Sequence, residues 1–423
     1  MMVWLYLQVA LCCGMFVIRK RIGFLLYQLG TAFAYLLALT MVQELDYTMS
    51  IYYAFSLLPY IRHFRLGGLI QLLLAFYLGC DALISIVSNG IFPVASSLIV
   101  HFVGPLVLLY VFSHLTKEQI FGSESSGSNP EFTLKAFLFL VALGETVIGL
   151  IAISQSVDGR LMLNYQCVSG CLACTGIVLT AFLLEKGRSV FFSFAVVFYL
   201  AAWAIASGTR GYIVLAIVLS VFVLSRYKNI RIQVIMGCLI AAIACVVLVV
   251  YWDEVQSLVM RGMRFGESTG RRGHENIWFI NLFFDQGIVK DLFGIGIGTT
   301  YSTQVGAEAA WSGIGESAYT HLVVMNANFL HNFWFMSVLA IGLVGTLLYV
   351  AVFIQFAASV KKKISRRGFT LLLVFMLTYA FVLWFRWTAT GGMFESAVLA
   401  ALILLYQDES ERGVSGREKC LGN

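Results

Sequence analysis

Apolar residues run through this chain in stretches of roughly 17–25, the length an α-helix needs to cross a hydrocarbon core of about 30 Å. Inside lipid every backbone N–H and C=O must be satisfied within the protein, so such stretches fold as helices; barrel strands need only about 9–11 residues. Of the 423 residues, 60% are apolar and 12% charged, with a mean hydropathy of +0.87 and four prolines. Soluble domains hold about 45–50% and about 25% respectively. The expected fold is therefore all-α, a polytopic integral membrane helical bundle of about 12–14 transmembrane helices with one long extracytoplasmic loop.

Spans are read at residues 2–18, 22–42, 47–61, 66–88, 93–112, 134–154, 165–184, 189–206, 211–225, 232–251, 329–357, 369–387 and 394–406. They form a single transmembrane domain, 1–406, with the long loop at 252–328 and a polar, disordered tail at 407–423. No basic segment precedes residues 2–18, and Arg19, Lys20 and Arg21 follow them, which reads as a first span and not as a cleavable signal. The connections at Arg19–Arg21, Arg62–Arg65, Lys117–Lys135, Lys186–Arg188, Arg226–Arg231, Lys361–Arg367 and the tail hold 20 of the 28 Lys and Arg. The positive-inside rule makes these cytoplasmic, with the N-terminus outside and the C-terminus inside. Facing outward are Arg160, Arg210, Arg261, Arg264, Arg271, Arg272, Lys290 and Arg386, five of them in the one long loop. Cations held there against the usual bias point to an anionic ligand on the outer face.

Much of the rest is bland. Gly122–Asn129, GSESSGSN, reads as a flexible linker. No repeat of fixed period is evident, and no inverted pair of broken helices of the kind that marks many secondary transporters. The outer loops hold no pair of cysteines to oxidise, and Cys167, Cys171 and Cys174 fall on one helical face, which suits packing better than cluster ligation. The run FGIGIGTTY, with Gly294, Gly296 and Gly298, lacks the βαβ context of a dinucleotide fingerprint; it reads as a turn that lets backbone approach a helix end or a ligand closely.

Three outward features carry chemistry. Arg210, in Ser207-Gly208-Thr209-Arg210-Gly211, either snorkels to head groups or grips a phosphate with its planar fork. Met260–Trp278 carries four arginines, His274, Glu267 and Glu275; it is either a solvated surface or a cluster that neutralises a pyrophosphate. His331, in Leu330-His331-Asn332-Phe333-Trp334, either caps a helix start or serves as a general base, with His321 as its rival.

In this order, SGTRG, STGRR with Trp278, GIGIG, HNFW and then GLVG, the segment Ser207–Gly345 resembles the superfamily of O-antigen ligases and O-antigen polymerases, bacterial membrane glycosyltransferases. The first 200 residues share only the multispan character, and Ile341 stands where the family often has an acid. The resemblance implies transfer of a glycan from an undecaprenyl-diphosphate carrier to an acceptor hydroxyl, with no nucleotide sugar, metal ion or other cofactor. It implies that Arg210 and Arg271 bind the diphosphate, that His331 deprotonates or orients the acceptor, and that Arg261, Arg264, Arg272, Asn332 and Trp278 contact the substrate. Glu267, Glu275 and Glu316 are available to orient a histidine or a sugar; Trp278, Trp311 and Trp334 suit either sugar stacking or interfacial anchoring. The implied partners are the membrane, the lipid-linked oligosaccharide, a flippase and a chain-length regulator, and no nucleic acid.

The expected activity is polymerisation of lipid-linked repeats into O-antigen, capsule or exopolysaccharide, inverting and metal-independent, on the outer face of the bacterial inner membrane. A ligase acting on lipid A core or another acceptor is the near alternative. A transporter or flippase for an anionic or lipid-linked solute is the alternative from another class, for which Asp81 and Glu145 are the mid-span acids.

Overall fold

The computed structural model describes residues 2–42, 45–65, 67–122, 130–154, 163–187, 189–206, 210–227, 286–299, 333–383 and 401–406, with 229, 231, 234, 279–280 and 283–284 between them. The chain is mostly helical through these, and no strand occurs among the described residues. In chain order the helices are α1 (Met2–Val42), α2 (Leu45–Leu57), α3 (Leu69–Asn89), α4 (Ile91–Ser97), α5 (Gly104–Ser113), α6 (Lys117–Phe121), α7 (Pro130–Ser154), α8 (Leu163–Glu185), α9 (Val190–Ala206), α10 (Arg210–Ser225), α11 (Ile288–Phe293), α12 (Phe333–Lys361) and α13 (Arg366–Leu383). Four described stretches, Met2–Leu39, Leu69–Asn89, Glu131–Ile151 and Phe333–Lys361, are long and apolar enough to cross a membrane.

Two of the long helices, α3 and α7, carry exposed apolar faces. On α3, Leu74, Leu78, Ala82 and Ser85 are buried, while Phe76, Leu83, Ile84 and Val87 stand exposed on other sides. On α7, Phe139, Leu143, Val147 and Leu150 repeat the pattern at helical spacing. Contiguous exposed apolar faces of this kind suit a bilayer better than water. Inside, α8 is the hub, packed on α7, α9 and α10, while α12 packs on α3, α11 and α13.

Local sequence explains the irregularities. Pro130 opens α7, where its missing N–H costs nothing. Between α4 and α5, Leu98–Val103 forms a π-helical segment just before Pro105, with the Gly104 N–H reaching back to the Ile99 carbonyl. Proline removes a donor and crowds the preceding turn, so the helix widens there. At α6 a capping box fixes the start: Gln119 N–H donates to Thr116 Oγ1, and Thr116 N–H donates to Gln119 Oε1.

Two of the long helices are broken, and both breaks are built the same way. α1 leaves helical geometry at Gly23 (φ 77°, ψ 165°) and doubles back, so that Met15 lies against Gly30 and Gln8 Nε2 donates to the Thr48 carbonyl. α12 leaves it at Gly342 (φ 67°, ψ 178°), so that the Phe333 and Tyr349 rings, far apart along a straight helix, lie 6.2 Å apart. Each break seats on the glycine that ends a short helix: Gly23 on Gly122 (φ 96°, ψ 165°) after α6, Gly342 on Gly294 (φ 83°, ψ 180°) after α11. All four adopt a region of φ/ψ space that is essentially closed to residues with a side chain. A Cβ at Gly23 would stand 2.6 Å from the Phe121 carbonyl carbon, and one at Gly342 2.5 Å from Gly294 N. Backbone meets backbone at both seats, and no side chain fits between.

The break at Gly23 falls where the sequence reading divides 2–18 from 22–42, within one long apolar helical stretch. Gly122, expected within a flexible linker, is instead a helix cap in tight contact, and the pair of broken helices has no counterpart in the sequence-level reading. Residues 286–299, assigned to the long outer loop, form α11 and a glycine-rich turn docked on α3, α4 and α12. Span 232–251 and most of 252–328 lie outside the described residues.

Gly342→Ala is expected to lower the melting temperature in detergent, because an alanine held at that φ and ψ costs about 1–3 kcal/mol before the clash is counted. Gly79→Ala, on a face of α3 with nothing within 4 Å of the new methyl, should leave it unchanged or raise it slightly. Equal melting of the two variants would refute the seat.

Candidate functional site

The glycine-rich turn after α11 is where irregular backbone enters the bundle. Its three glycines all have positive φ, and each touches a different helix. Gly294 lies on Ala340 and Gly342 of α12, Gly296 on Ser85 of α3, and Gly298 on Pro93 and Val94 of α4. Ile297, between the last two, is fully buried. Close approach of backbone to helices is what the GIGIG run predicts, and the structure shows which helices it approaches.

Breaking α12 at Gly342 leaves carbonyls at the end of its first half without intrahelical donors. The turn satisfies them. Ile295 N–H donates to Leu339 O at 3.0 Å and Gly296 N–H to Ala340 O at 3.1 Å. Tyr77, on α3, donates its hydroxyl to Ile341 O at 2.6 Å and lies 3.0 Å from Phe293 O.

The turn's own polar groups are met from α3. Asp81 Oδ2 accepts from Ile297 N–H at 3.3 Å, and Asn89 Nδ2 donates to Thr299 Oγ1 at 3.0 Å and reaches Ile297 O at 3.5 Å. Thr299 Oγ1 in turn donates to Ile295 O at 3.1 Å. Tyr77, Asp81, Ser85 and Asn89 are spaced four apart, so they form one polar stripe along an otherwise apolar helix. Ser85 Oγ is buried against Gly296 and has no hydrogen-bond partner among the described residues. Irregular backbone at membrane depth persists only where protein satisfies it, and this stripe does so.

A second contact gathers two of the sequence-level motifs. The Phe279 ring stacks on Phe335, with centroids 4.4 Å apart and planes 12° from parallel. Phe279 follows Trp278 directly, and Phe335 lies four residues after His331. Trp334, expected at a sugar or at the interface, packs edge to face on Phe333 at 5.5 Å.

The side chains proposed for chemistry stand apart from this description. Arg210 is the first residue of α10, which packs on α8, α9 and α13, and nothing is described of its side chain. Arg261, Arg264, Arg271, Arg272, Trp278, His331 and Asn332 lie outside the described residues. The polar stripe of α3 went unread as a unit, although its four-residue period was visible and an ionisable residue within a span is by default a functional candidate.

Among the described residues, then, the fold and site define a helical protein with membrane-length apolar helices and a glycine turn locked into a broken helix. Comparison with protein-family models, with curated proteins and with solved structures finds no match.

Asp81→Ala leaves the buried Ile297 N–H unpaired, which costs about 1–3 kcal/mol, whereas Tyr77→Phe removes one donor and costs about 0.5–1.5 kcal/mol. Hydrogen exchange at Ile295–Ile297 should accelerate in both variants. Unchanged exchange at Ile297 in the Asp81 variant would show that the carboxylate does not hold the turn.

Proposed function

We propose that the protein is a membrane glycosyltransferase that polymerises undecaprenyl-diphosphate-linked repeats on the outer face of the bacterial inner membrane, of the O-antigen ligase and polymerase type. In this reading Arg210 and Arg271 stabilise the departing diphosphate, and His331 takes the proton of the acceptor hydroxyl as that oxygen attacks the anomeric carbon in line. The bond from the anomeric carbon to the diphosphate oxygen breaks as the new bond forms on the opposite face, so configuration inverts and the lipid diphosphate leaves. Guanidinium groups do here what a divalent ion does in nucleotide-sugar enzymes, because the leaving group needs only its charge stabilised. Arg261, Arg264, Arg272, Asn332 and Trp278 hold the substrate.

The observation that supports the reading is the Phe279–Phe335 stack, a contact between the residue that follows Trp278 in the sequence and one four positions after His331. The seating of GIGIG on the break ahead of Leu343-Val344-Gly345 supports it too, since two of the motifs in the ordered series then form one unit. A ligase shares these motifs and differs in its acceptor.

One feature favours a second reading, a transporter. Broken helices beside an intramembrane carboxylate mark many transport sites, and Asp81 holds the turn that seats on the break at Gly342.

The test is transfer in detergent with EDTA and without nucleotide sugar. The wild type should build a ladder of longer lipid-linked chains. His331→Ala should lose about 10²–10⁴-fold of the rate. Arg210→Ala and Arg271→Ala should each lose about 10²–10³-fold. Transfer to an added acceptor without a ladder would mean ligase. Solute movement into proteoliposomes with no new glycosidic bond would mean transporter.

A further inference from the structure

At the opposite end of α3 from the glycine turn, the chain assembles a feature that glycosyl transfer does not use. The connection between α2 and α3 carries Arg62, His63, Phe64 and Arg65, and the end of α5 brings His114 beside them. His63 Nε2 sits 3.4 Å from Gln119 Nε2 and 3.4 Å from Arg62 Nε. Arg62, Arg65 and His114 are exposed, and neither arginine pairs with a carboxylate among the described residues. His114 Nδ1 donates to the Tyr110 carbonyl at 2.6 Å, which fixes the ring at the end of α5. Partial burial, together with the charges of Arg62, His114 and Arg65, holds the His63 imidazole below its ordinary value. The positive field is thus concentrated and uncompensated.

Directly beneath Phe64 an apolar cavity of about 80 Å³, open on one side, runs between α3, α5 and α12. Leu74, Leu78, Leu106, Val107 and Val352 form its walls, with Gln71 and Tyr110 as its polar members. Gln71 Oε1 is held by the Gly67 N–H at 3.0 Å, and the Tyr110 hydroxyl by the Val352 carbonyl at 3.3 Å, so the cavity is built and not a gap between loose side chains. A cationic mouth above an apolar groove on the side of a bundle is complementary to one kind of molecule, an anionic head group with a hydrocarbon tail.

We infer that this groove and the Arg62–Arg65 pair form a binding site for an anionic glycerophospholipid, its phosphate at the two arginines and part of one acyl chain against Leu74 and Leu78. The site is independent of the transfer chemistry proposed above. Bound lipid bridges α3, α5 and α12, and so braces the helix that carries the polar stripe. A zwitterionic lipid presents the same tail with no net charge, and free phosphate presents the charge with no tail; both should bind poorly.

The full-length protein, delipidated in detergent, can be titrated with phosphatidylglycerol or with phosphatidylcholine of matched chains, and retained lipid counted by native mass spectrometry. One phosphatidylglycerol should be retained at least about tenfold more tightly than phosphatidylcholine, and Arg62→Ala with Arg65→Ala should abolish that preference. Ala75→Trp, which fills the cavity wall without touching the cations, should weaken retention while the melting temperature holds. Inorganic phosphate at millimolar concentration should not displace the lipid. Equal retention of the two lipids would overturn the inference. So would displacement by phosphate with the Trp variant binding normally, since the site would then bind anions alone.

Discussion

Backbone polar groups in apolar surroundings cannot be left to water, and this one constraint organises most of what is described. When α12 breaks at Gly342, the carbonyls of Leu339, Ala340 and Ile341 lose their helical donors, and the protein must provide others. It provides them from a turn whose glycines come close enough to donate directly, and from the Tyr77 hydroxyl. The turn then needs partners of its own, and Asp81 and Asn89 supply them. Tyr77, Asp81 and Asn89 of α3 thus each answer a group at the break or in the turn that seats on it. A functional region placed on such a scaffold is stiff, because any shift of one segment strands a donor or acceptor in another.

The sequence shows some of this plainly. Apolar runs mark α3, α7, α8, α9, α10 and α13 to within a few residues, since a helix in lipid leaves a pattern no soluble segment mimics. The division of α1 is visible in Arg19–Arg21, which cannot sit in the apolar layer. GIGIG is legible as a close backbone approach because three glycines at alternate positions have few other uses. The partner of that approach is not legible: nothing local in Ala340-Ile341-Gly342 marks a break, and Gly342 resembles any small residue of a packed helix. Gly122 sits at the head of a Ser- and Gly-rich stretch, so composition pointed to a linker where geometry makes a seat. The polar stripe on α3 was open to a helical count, but Asp81 taken singly is merely an acid within a span. Arg210, Arg271 and His331 rest on motif order alone.

The lipid groove and the glycine turn occupy opposite ends of α3, and that helix is the common element between them. Its N-terminal half faces the cavity through Leu74 and Leu78, and its C-terminal half faces the turn through Asp81, Ser85 and Asn89. Tyr77 stands where the two halves meet. A helix so engaged has little freedom to rotate or slide without loss at both ends.

The two glycine seats also set a schedule for assembly. In the first, the broken helix is made before the short helix that secures it, and at ~5–20 residues per second the ribosome reaches Gly122 roughly 5–20 s after Gly23. The α1 hairpin therefore inserts and waits with its bend unsupported until α6 is synthesised. In the second the order is reversed: Gly294 is in place before Gly342 is made, so the bend in α12 forms against a seat already present. The N-terminal hairpin is thus the part of the nascent chain most exposed to straightening into one long helix, and the C-terminal one the part that emerges with its mould already cast.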